Sequence, residues 1–261
     1  MQIKLVNFCV CRKKAVLLQS QIKNRKVKIV QKFHKACAEY GLIADGDHIL
    51  IGLSGGKDSL VLTELLGARA QIYKPRFTVT ALHVRVKERA YQTDLNYLEC
   101  FCKEAHVPLV VRDVEIVGGE HDETNPCFLC SWYRRKALFN TAQELGCNKI
   151  ALGHHRDDLV ETLLMNLIYQ GAFATMPPIL QMDKMPLQII RPLCLIDEAE
   201  LVAYAEERGY QKQAKLCPFE HVSSREKVKD LLAQIKALNP EAMDSIYGAM
   251  TNIKTDYLPK I

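Results

Sequence analysis

The sequence has no long apolar run and no clear secretory signal. No apolar stretch reaches the roughly 18 residues that a membrane-spanning helix requires. Near the start, Asn7 and the cluster Arg12-Lys13-Lys14 keep the apolar segment short, and no small-residue cleavage site follows. We therefore expect a cytoplasmic protein without a membrane partner. In that compartment, a disulfide framework is not expected for the ten cysteines, several of which should be plain buried thiols.

Acidic residues are absent from residues 1–38, which contain ten lysines and arginines. The rest of the chain holds 25 basic and 30 acidic residues, so it is mildly acidic. A basic N-terminal arm, assigned to residues 1–20, on such a body is typical of proteins that contact a polyanion such as RNA. A solvated basic helix without a partner explains the same pattern equally well.

Strand and helix patterns alternate along the chain. Apolar and β-branched runs predict strands at residues 48–53, 77–84, 107–114, 149–152 and 187–193. Periodic apolar residues predict helices at residues 21–41, 58–71, 91–105, 131–145, 157–169, 198–208, 224–238 and 240–253. The short joints predict an α/β fold with an open, mostly parallel five-stranded sheet and helices on both faces. Because no repeat or low-complexity linker interrupts this pattern, residues 21–261 should form one domain with an N-terminal helix and a C-terminal helical extension.

The first predicted strand ends in a glycine turn that can bind an anion. The run stops at Ser54-Gly55-Gly56, and Lys57-Asp58-Ser59 begins a helix pattern. Glycines let the backbone approach a phosphate, and the free N–H groups and dipole of a helix start favour its charge. Lys57 adds a positive charge, and the two serines add hydroxyl donors. The spacing differs from that of the loop G-x-x-x-x-G-K-[ST]. An ordinary glycine-rich turn is the alternative interpretation.

A second group of polar residues follows the predicted strand 149–152. Gly153 and His154 come directly after it, and Asp157-Asp158 opens the next helix. The carboxyl ends of parallel strands meet at one edge of the sheet, where open α/β sheets bind their ligands. Paired carboxylates there could hold Mg²⁺ against phosphates. The alternative is that the two aspartates only cap their helix.

The third pattern is a cysteine pair, Cys127 and Cys130, placed after Pro126 and just before the predicted helix 131–145. Two intervening residues let both sulfurs face one metal, and a helix start stabilises thiolates. Cys217 is a third candidate ligand, distant in sequence. Three cysteines suit an iron–sulfur cluster with one open iron. Zinc remains an alternative, with Glu220 or His221 as fourth ligand.

The string at residues 54–59 resembles the pyrophosphate-binding loop, or PP loop, of the ATP pyrophosphatases. The whole order of motifs resembles the tRNA 2-thiocytidine synthetases within that superfamily, over roughly residues 20–253. The matching blocks are residues 54–59, 127–135, 152–158, 176–178 and 190–193. This resemblance implies an adenine nucleotide alpha hydrolase-like PP-loop fold. It also implies that AMP is attached to the C2 oxygen of an anticodon-loop cytidine and that sulfur then replaces it.

The resemblance also implies a set of cofactors, partners and site residues. The cofactors are ATP, Mg²⁺ and a [4Fe–4S] cluster; the partners are tRNA, a sulfur donor such as a cysteine desulfurase, and a second copy in a homodimer. The catalytic candidates are Lys57, Asp58, Asp157 and Asp158. The ATP-contacting candidates are Ser54, Gly55, Gly56, Lys57, Asp58, Ser59, His83, Gly153 and His154. The cluster ligands are Cys127, Cys130 and Cys217, and the candidate tRNA contacts are Arg134, Arg135 and Lys136.

One departure from the family pattern bears on specificity. Where the related enzymes have a second cysteine after the one matched by Cys217, this chain has Glu220. Because the family's cluster uses only the first of that pair, the departure need not remove the cluster. Three alternatives remain: a lysidine-type tRNA ligase, a 2-thiouridine-type thiolase, and a zinc-stabilised nucleotide-binding module without catalysis.

Overall fold

The computed structural model describes residues 26–87, 94–116, 126–211 and 224–259. The predicted basic arm, residues 1–20, lies outside these ranges. The strands are β1 His48–Gly52, β2 Thr78–Val86, β3 Leu109–Val114, β4 Lys149–Ala151, β5 Ile179–Gln181 and β6 Gln188–Ile190. The helices are α1 over residues 26–39, α2 Lys57–Ala70, α3 Leu95–Glu104, α4 Pro126–Glu144, α5 Arg156–Gln170, α6 Glu198–Glu207, α7 Ser224–Leu238 and α8 Ala242–Ala249.

The described strands form one sheet in the order β3-β2-β1-β4-β6-β5. All neighbouring pairs are parallel except β5 and β6, which are antiparallel. The predicted α/β fold with a mostly parallel sheet is therefore confirmed. From β1 the chain first adds β2 and β3 on one side and then returns to add β4 on the other. This reversal of strand order between β1 and β4 creates the crevice where such sheets bind ligands.

The predicted number of five strands is wrong, because β5 adds a sixth at the edge. This strand has only three residues, all partly or fully exposed, so it has no apolar alternation that a sequence pattern could detect. It follows Met176-Pro177-Pro178, which predicts only a turn. β5 is a strand because tertiary pairing with β6 supplies its backbone partners.

The predicted start of the helix at residue 131 is also wrong. Helix α4 begins at Pro126, so Cys127 and Cys130 lie within its first five residues instead of preceding it. Proline suits the first helical position because its missing N–H has no partner there and its φ is already helical. The start signal was therefore present in the sequence, five residues before the first clear apolar periodicity.

The core lies on both faces of the sheet, as a doubly covered sheet requires. Strand β1 shows this most clearly, since Ile49 and Ile51 pack on one face and Leu50 packs on the other, and all three are fully buried. Helices α1, α2, α3 and α6 cover the first face, and α4 covers the second. The predicted buried thiols are confirmed at Cys102, Cys147 and Cys194.

The C-terminal helices add a smaller cluster. Val160 of α5 packs against Val228 and Leu232 of α7 and Met243 of α8. This contact brings the predicted helical extension against the helix that starts at the carboxyl edge of the sheet. Among the described helices, none is long and apolar enough to cross a membrane.

Candidate active site

The loop between β1 and α2 is closed by its own serines. Gly55 has a φ of +85°, a left-handed conformation that favours glycine. The Ser59 hydroxyl accepts a hydrogen bond from Gly55 N at 3.1 Å and donates to Gly56 O at 2.9 Å. Ser54 Oγ accepts from Gly56 N at 3.3 Å. Gly56 is the N-cap of α2 and provides no side-chain cap, so the first N–H groups of the helix remain available for an anion.

Lys57, at the first position of α2, lies between two carboxylates. Its Nζ is 3.2 Å from the Asp58 carboxylate and 3.4 Å from Oε1 of Glu198 at the start of α6. Asp58 Oδ1 is buried and makes no hydrogen bond with any described residue, although the ammonium lies beside it. The PP-loop cation is therefore held near the helix start, and Asp58 retains an oxygen with spare capacity.

The loop after β4 packs directly on the PP loop. A Cβ atom added at Gly153 would lie 3.1 Å from the carbonyl carbon of Asp58 and 3.2 Å from Ser59 N. These are backbone atoms in the first turn of α2, so they cannot yield as a flexible side chain would. The structure thus brings the first two sequence motifs together, and Gly153 is there because the approach leaves little room for a side chain.

The two aspartates at the start of α5 are fully engaged. Asp158 Oδ2 accepts from His155 N at 3.0 Å, which closes a capping box, and Oδ1 accepts from Arg225 at 3.0 Å. Asp157 Oδ2 accepts from Glu198 N at 2.7 Å, and Oδ1 lies 3.4 Å from Lys236 Nζ. These contacts show that both aspartates cap and anchor helices, and the magnesium site stays a prediction. A catalytic role for either aspartate stays a prediction.

Protonation in this region follows the same contacts. Burial would raise the pKa of Asp157, but the Glu198 N–H and the Lys236 ammonium outweigh it and hold that pKa below its ordinary value. Burial, aided by Arg191 and opposed by Asp158, lowers the pKa of His154 to about 4. His154 is therefore neutral at pH 7, and its buried Nδ1 has no hydrogen-bond partner among the described residues.

Arg191 joins two of the predicted sequence blocks. It lies after β6, and its guanidinium donates to Pro177 O at 2.5 Å while its backbone N–H donates to Pro178 O at 2.8 Å. Burial lowers the pKa of this guanidinium. The Met-Pro-Pro and Ile-Arg-Pro-Leu blocks therefore form one structural unit beside the loop that carries His154.

A cavity of about 170 Å³ opens beside the PP loop. It is lined by Gly52, Leu53, Ser54, Leu82, His83, Val84, Arg134, Leu138 and Leu152. His83 is buried, and its Nδ1–H donates to Leu53 O at 2.8 Å, which leaves Nε2 as the acceptor of the ring. Burial, reinforced by the charge of Arg134, lowers the pKa of His83, so the imidazole is neutral at pH 7.

The three predicted tRNA contacts lie on different sides of helix α4. Arg134 lines the cavity, whereas Arg135 and Lys136 are exposed on the outer side. Cys130 is half-buried and lies one helical turn before Arg134, so both occupy the same side of α4. The three predicted basic residues therefore do not form one surface.

Only one of the three predicted cluster ligands, Cys130, has a described side chain. The side chain of Cys127 and all of Cys217 lie outside the described residues, and no metal-binding group of His, Cys, Asp and Glu occurs among the described ones. The segment that contains Cys217 leads into α7, where Arg225 contacts Asp158 and Glu161 at the start of α5. The start of α7, the first described part of the chain after Cys217, therefore lies at the same edge of the sheet as the PP loop.

Other thiols are poor ligand candidates. Burial raises the pKa of Cys102 and Cys194 to about 12 and that of Cys147 to about 11. A thiol that does not ionise binds metals poorly. Burial raises the pKa of Cys37 to about 12 as well, whereas Cys100 is exposed. The pair on α4 differs from all of these by its C-x-x-C spacing.

Four residues at the site were not predicted from the sequence. Glu198 contacts Lys57, and Arg225, Lys229 and Lys236 of α7 contact the carboxylates of α5 and α6. The signal for Glu198 was a capping box formed by Asp197 and Glu200, which marks a helix start. The α7 cations carry no such signal, because a basic helix face is ordinarily solvated.

Comparisons with known proteins agree with this geometry. A PP-loop domain model matches residues 24–213. A tRNA-cytidine(32) 2-sulfurtransferase from Sorangium cellulosum is 38% identical over 236 residues, which cover 88% of this chain and 83% of that protein. The enzyme of the same name from Syntrophotalea carbinolica is 34% identical over 237 residues, which cover 88% and 91%.

A solved structure extends the agreement to the fold. The U34-tRNA thiolase NcsA from Methanococcus maripaludis, with its [4Fe–4S] cluster, superimposes with a TM-score of 0.73 at 26% identity and covers 91% of this chain and 82% of that one. The PP loop, the packed glycine after β4 and the cysteine pair on α4 lie in the region that these comparisons span. The chain therefore belongs to the PP-loop family and, within it, to the tRNA-cytidine 2-sulfurtransferases.

Proposed function

We propose that this protein uses ATP to adenylate the C2 oxygen of an anticodon-loop cytidine and then replaces that oxygen with sulfur, giving 2-thiocytidine. One observation carries the proposal. Cys130 lies one turn from Arg134 on α4, and Arg134 lines the cavity that adjoins the PP loop. A phosphate site, a recess of about 170 Å³ and a cysteine pair therefore lie near one edge of the sheet.

The nucleotide has a natural position in this arrangement. The free N–H groups at the start of α2 and the Lys57 ammonium suit the triphosphate. The cavity beside Ser54 suits the adenosine, with the neutral His83 ring as a hydrogen-bonding wall. Arg134 adds a positive charge between the recess and the cysteine pair.

The proposed chemistry proceeds in two displacements. The C2 oxygen of cytidine attacks the α-phosphorus of ATP, the bond to the β-phosphate oxygen breaks, and pyrophosphate leaves. Lys57 stabilises the charge that develops on the phosphate oxygens. Sulfide, as HS⁻, then attacks C2, the bond from C2 to the adenylated oxygen breaks, AMP leaves with that oxygen, and the sulfide proton is released. The target base must be unstacked for this attack, which costs less in a loop than in a duplex.

The cysteines of this protein are suited to bind an iron–sulfur cluster. Cys127 and Cys130 are three residues apart in the sequence near the start of α4, a spacing that suits two ligands of one metal. With Cys217 as the third ligand, a bound [4Fe–4S] cluster would leave one iron open and could present sulfur to the activated base. Sulfur would come from a donor such as a cysteine desulfurase.

Asp58 is the carboxylate best suited to hold Mg²⁺. Both of its oxygens lie 3.2 Å from the same Lys57 ammonium, whereas the carboxylates of Asp157 and Asp158 each contact two separate donors. An oxygen with spare lone pairs beside the phosphate site is what a metal shared with ATP requires. Asp157 and Asp158 then shape the site and hold α7.

Two further proposals concern assembly. Residues 1–20 act as a basic arm that contacts the tRNA backbone, appended to a single domain over residues 21–261. The protein works as a homodimer. Both proposals rest on charge and on family resemblance, and each has a direct measurement in binding assays and in sedimentation.

A reconstituted reaction tests the function. Protein purified without oxygen is incubated with ATP, Mg²⁺, a sulfide source and unmodified tRNA, and the digested nucleosides are identified by mass spectrometry. We expect 2-thiocytidine together with AMP and pyrophosphate in equal amounts. Lys57→Ala, which removes a charged side chain from the loop, serves as the matched inactive variant and should fold normally.

The alternatives give different products in the same assay. A 2-thiouridine product would assign the activity named for the Methanococcus maripaludis thiolase. If iron-free protein is fully active and the product is a tRNA base joined to an amino acid, the result would favour a lysidine-type ligase. One zinc per chain and no pyrophosphate release with any tRNA would leave a nucleotide-binding module.

A further inference from the structure

The outer side of α4 carries aromatic and basic side chains in a row. Phe128, Trp132, Arg135 and Lys136 are spaced at i, i+4, i+7 and i+8, so they share one helix face. Phe128 is 56% exposed and Trp132 is 42% exposed, and both cations are exposed. We call these four residues the α4 stripe. Large exposed aromatic side chains in a row are unusual on a surface that contacts only water.

The Trp132 ring of the stripe is held in place by two neighbouring side chains. The Tyr133 ring lies 5.0 Å from that of Trp132 at an interplanar angle of 83°, an edge-to-face contact. Lys136 Nζ lies 5.0 Å from the centre of the Trp132 ring. These contacts restrict the indole while leaving much of it open, so little conformational entropy remains to be lost when a partner stacks on it.

The two cations of the stripe differ from those of the neighbouring strands in their pairing. Arg85 of β2 is paired with Asp113 at 2.6 Å, and Arg112 of β3 is paired with Glu144 at 2.8 Å. Within the described ranges, neither Arg135 nor Lys136 has a carboxylate within ion-pair distance. The stripe therefore presents two exposed cations without a described carboxylate partner next to two exposed rings, which is the composition of a surface that binds single-stranded nucleic acid.

The position of the stripe relates it to the candidate active site. The same helix carries Cys130 and Arg134 on its other side, towards the cavity. An RNA loop with one nucleotide at that edge therefore has its neighbouring nucleotides within reach of the outer side of α4. The first five residues of α4 carry both the cysteine pair and Phe128, where the stripe starts, so the two surfaces begin at the same end of the helix.

We propose that the α4 stripe is the stacking platform for the single-stranded nucleotides that flank the target base in the tRNA loop. Trp132 and Phe128 stack bases, and Arg135 and Lys136 contact phosphates. This inference rests on the proposed function for the identity of the RNA, but it concerns binding and requires no catalysis. Charge decides the occupant, because a rim of two cations without a described carboxylate partner suits a polyanion better than a second copy of this chain.

Trp132 reports on its own occupancy, because it is the single tryptophan of the chain. An anticodon stem-loop RNA is titrated into the whole protein without ATP, and both tryptophan emission and RNA anisotropy are recorded. We expect the emission to be quenched in step with binding. Trp132→Ala should weaken binding by about five- to a hundredfold, the range produced by loss of base stacking, while Trp132→Phe should stay within about threefold of wild type.

Two further variants separate stacking from charge and from general effects. Lys136→Gln should reduce the slope of log affinity against log salt by about one. Tyr73→Ala is the matched control, since Tyr73 is 69% exposed and has Arg76 over its ring at 4.6 Å, near the opposite end of α2. Tyr73→Ala should bind the RNA like wild type. Melting temperatures verify that each variant is folded.

The outcomes that would overturn the inference are specific. RNA binding without a change in tryptophan emission, or equal affinity for Trp132→Ala and Tyr73→Ala, would exclude the platform. A dimer that Trp132→Ala dissociates while RNA affinity is unchanged would assign the stripe to self-association. Quenching by the stem-loop in a protein that forms no thiolated nucleoside would uphold the platform and reject the proposed function, so the two failures are distinguishable.

Discussion

Nζ of Lys57 lies 3.4 Å from Oε1 of Glu198, which is 141 residues further along the chain. The contact joins the start of α2 to the start of α6, two helices that both begin at the carboxyl edge of the sheet. Glu198 also lies 3.8 Å from Lys229 Nζ and donates its backbone N–H to Asp157. A carboxylate thus competes with any incoming phosphate for the PP-loop cation.

We predict that Glu198→Gln strengthens ATP binding by up to about fivefold. The amide keeps the shape but removes the charge that holds Lys57, and a half-exposed ion pair of this kind contributes about 0–1 kcal/mol. Titration calorimetry with ATP measures the effect. Glu206→Gln, on an exposed position of the same helix, is the control and should not change affinity. Weaker ATP binding in Glu198→Gln would mean that the carboxylate instead positions Lys57 to bind the phosphates.

Two aspartates of the site should behave differently when neutralised. Asp158→Asn should lower the free energy of unfolding by about 1 kcal/mol, because it weakens a helix cap and an ion pair with Arg225. It should leave the Mg²⁺ dependence of ATP–pyrophosphate exchange unchanged. Asp58→Asn should raise the Mg²⁺ concentration needed for half-maximal exchange by about tenfold or more, because the oxygen proposed to hold the metal loses its charge. An increase of that size in Asp158→Asn would restore the metal-ligand hypothesis for α5.

His154 should make stability depend on pH. Its pKa is about 4 in the folded protein, below the ordinary value of 6.5. Between these two pH values the imidazole is protonated in the unfolded chain but neutral in the folded one. The contribution of His154 to the free energy of unfolding is therefore fully present above pH 6.5 and is lost as the pH falls towards 4. In urea unfolding at a series of pH values, His154→Asn should show a shallower decline over this interval. Parallel curves for the two proteins would contradict the buried, neutral imidazole.

The cysteine ligands can be separated from their neighbours by iron content. Each of Cys127→Ala, Cys130→Ala and Cys217→Ala should lose the cluster and thiolation, since a cluster on three thiolates has no replacement ligand. Glu220→Ala should keep both. Cys100→Ala, at an exposed thiol outside the site, is the matched control. Loss of metal in Glu220→Ala, or zinc in place of iron in the wild type, would exclude the open-iron arrangement.

Deletion of residues 1–18 should affect tRNA and not ATP. The segment contains four basic residues and no acidic ones. Removal of these charges should lower the slope of log tRNA affinity against log salt by up to roughly 3, because fewer counterions are released. ATP–pyrophosphate exchange should stay within about twofold of the full chain, since the PP loop and its contacts are unchanged. An unchanged slope would assign the segment no role in RNA contact.

Local patterns in the sequence determined most of the elements of this protein and the loop that defines its family. The strand before Ser54, the glycine with positive φ and the helix start at Lys57 depend on neighbouring residues, so a linear pattern contains them. The parallel sheet follows from alternation alone. The resemblance to the family depended on several such local motifs in a fixed order, and that order can be read from the sequence alone.

Tertiary structure alone decided how those motifs are used. Asp158 caps and anchors because Arg225, 67 residues away, is brought beside it. Arg134 turns to the cavity while Lys136 turns outward, since two residues in a helix differ in direction by about 200°. β5 exists only by pairing with β6. These roles depend on sheet order and helix docking, which place residues far apart in sequence within contact distance, and no local pattern specifies them.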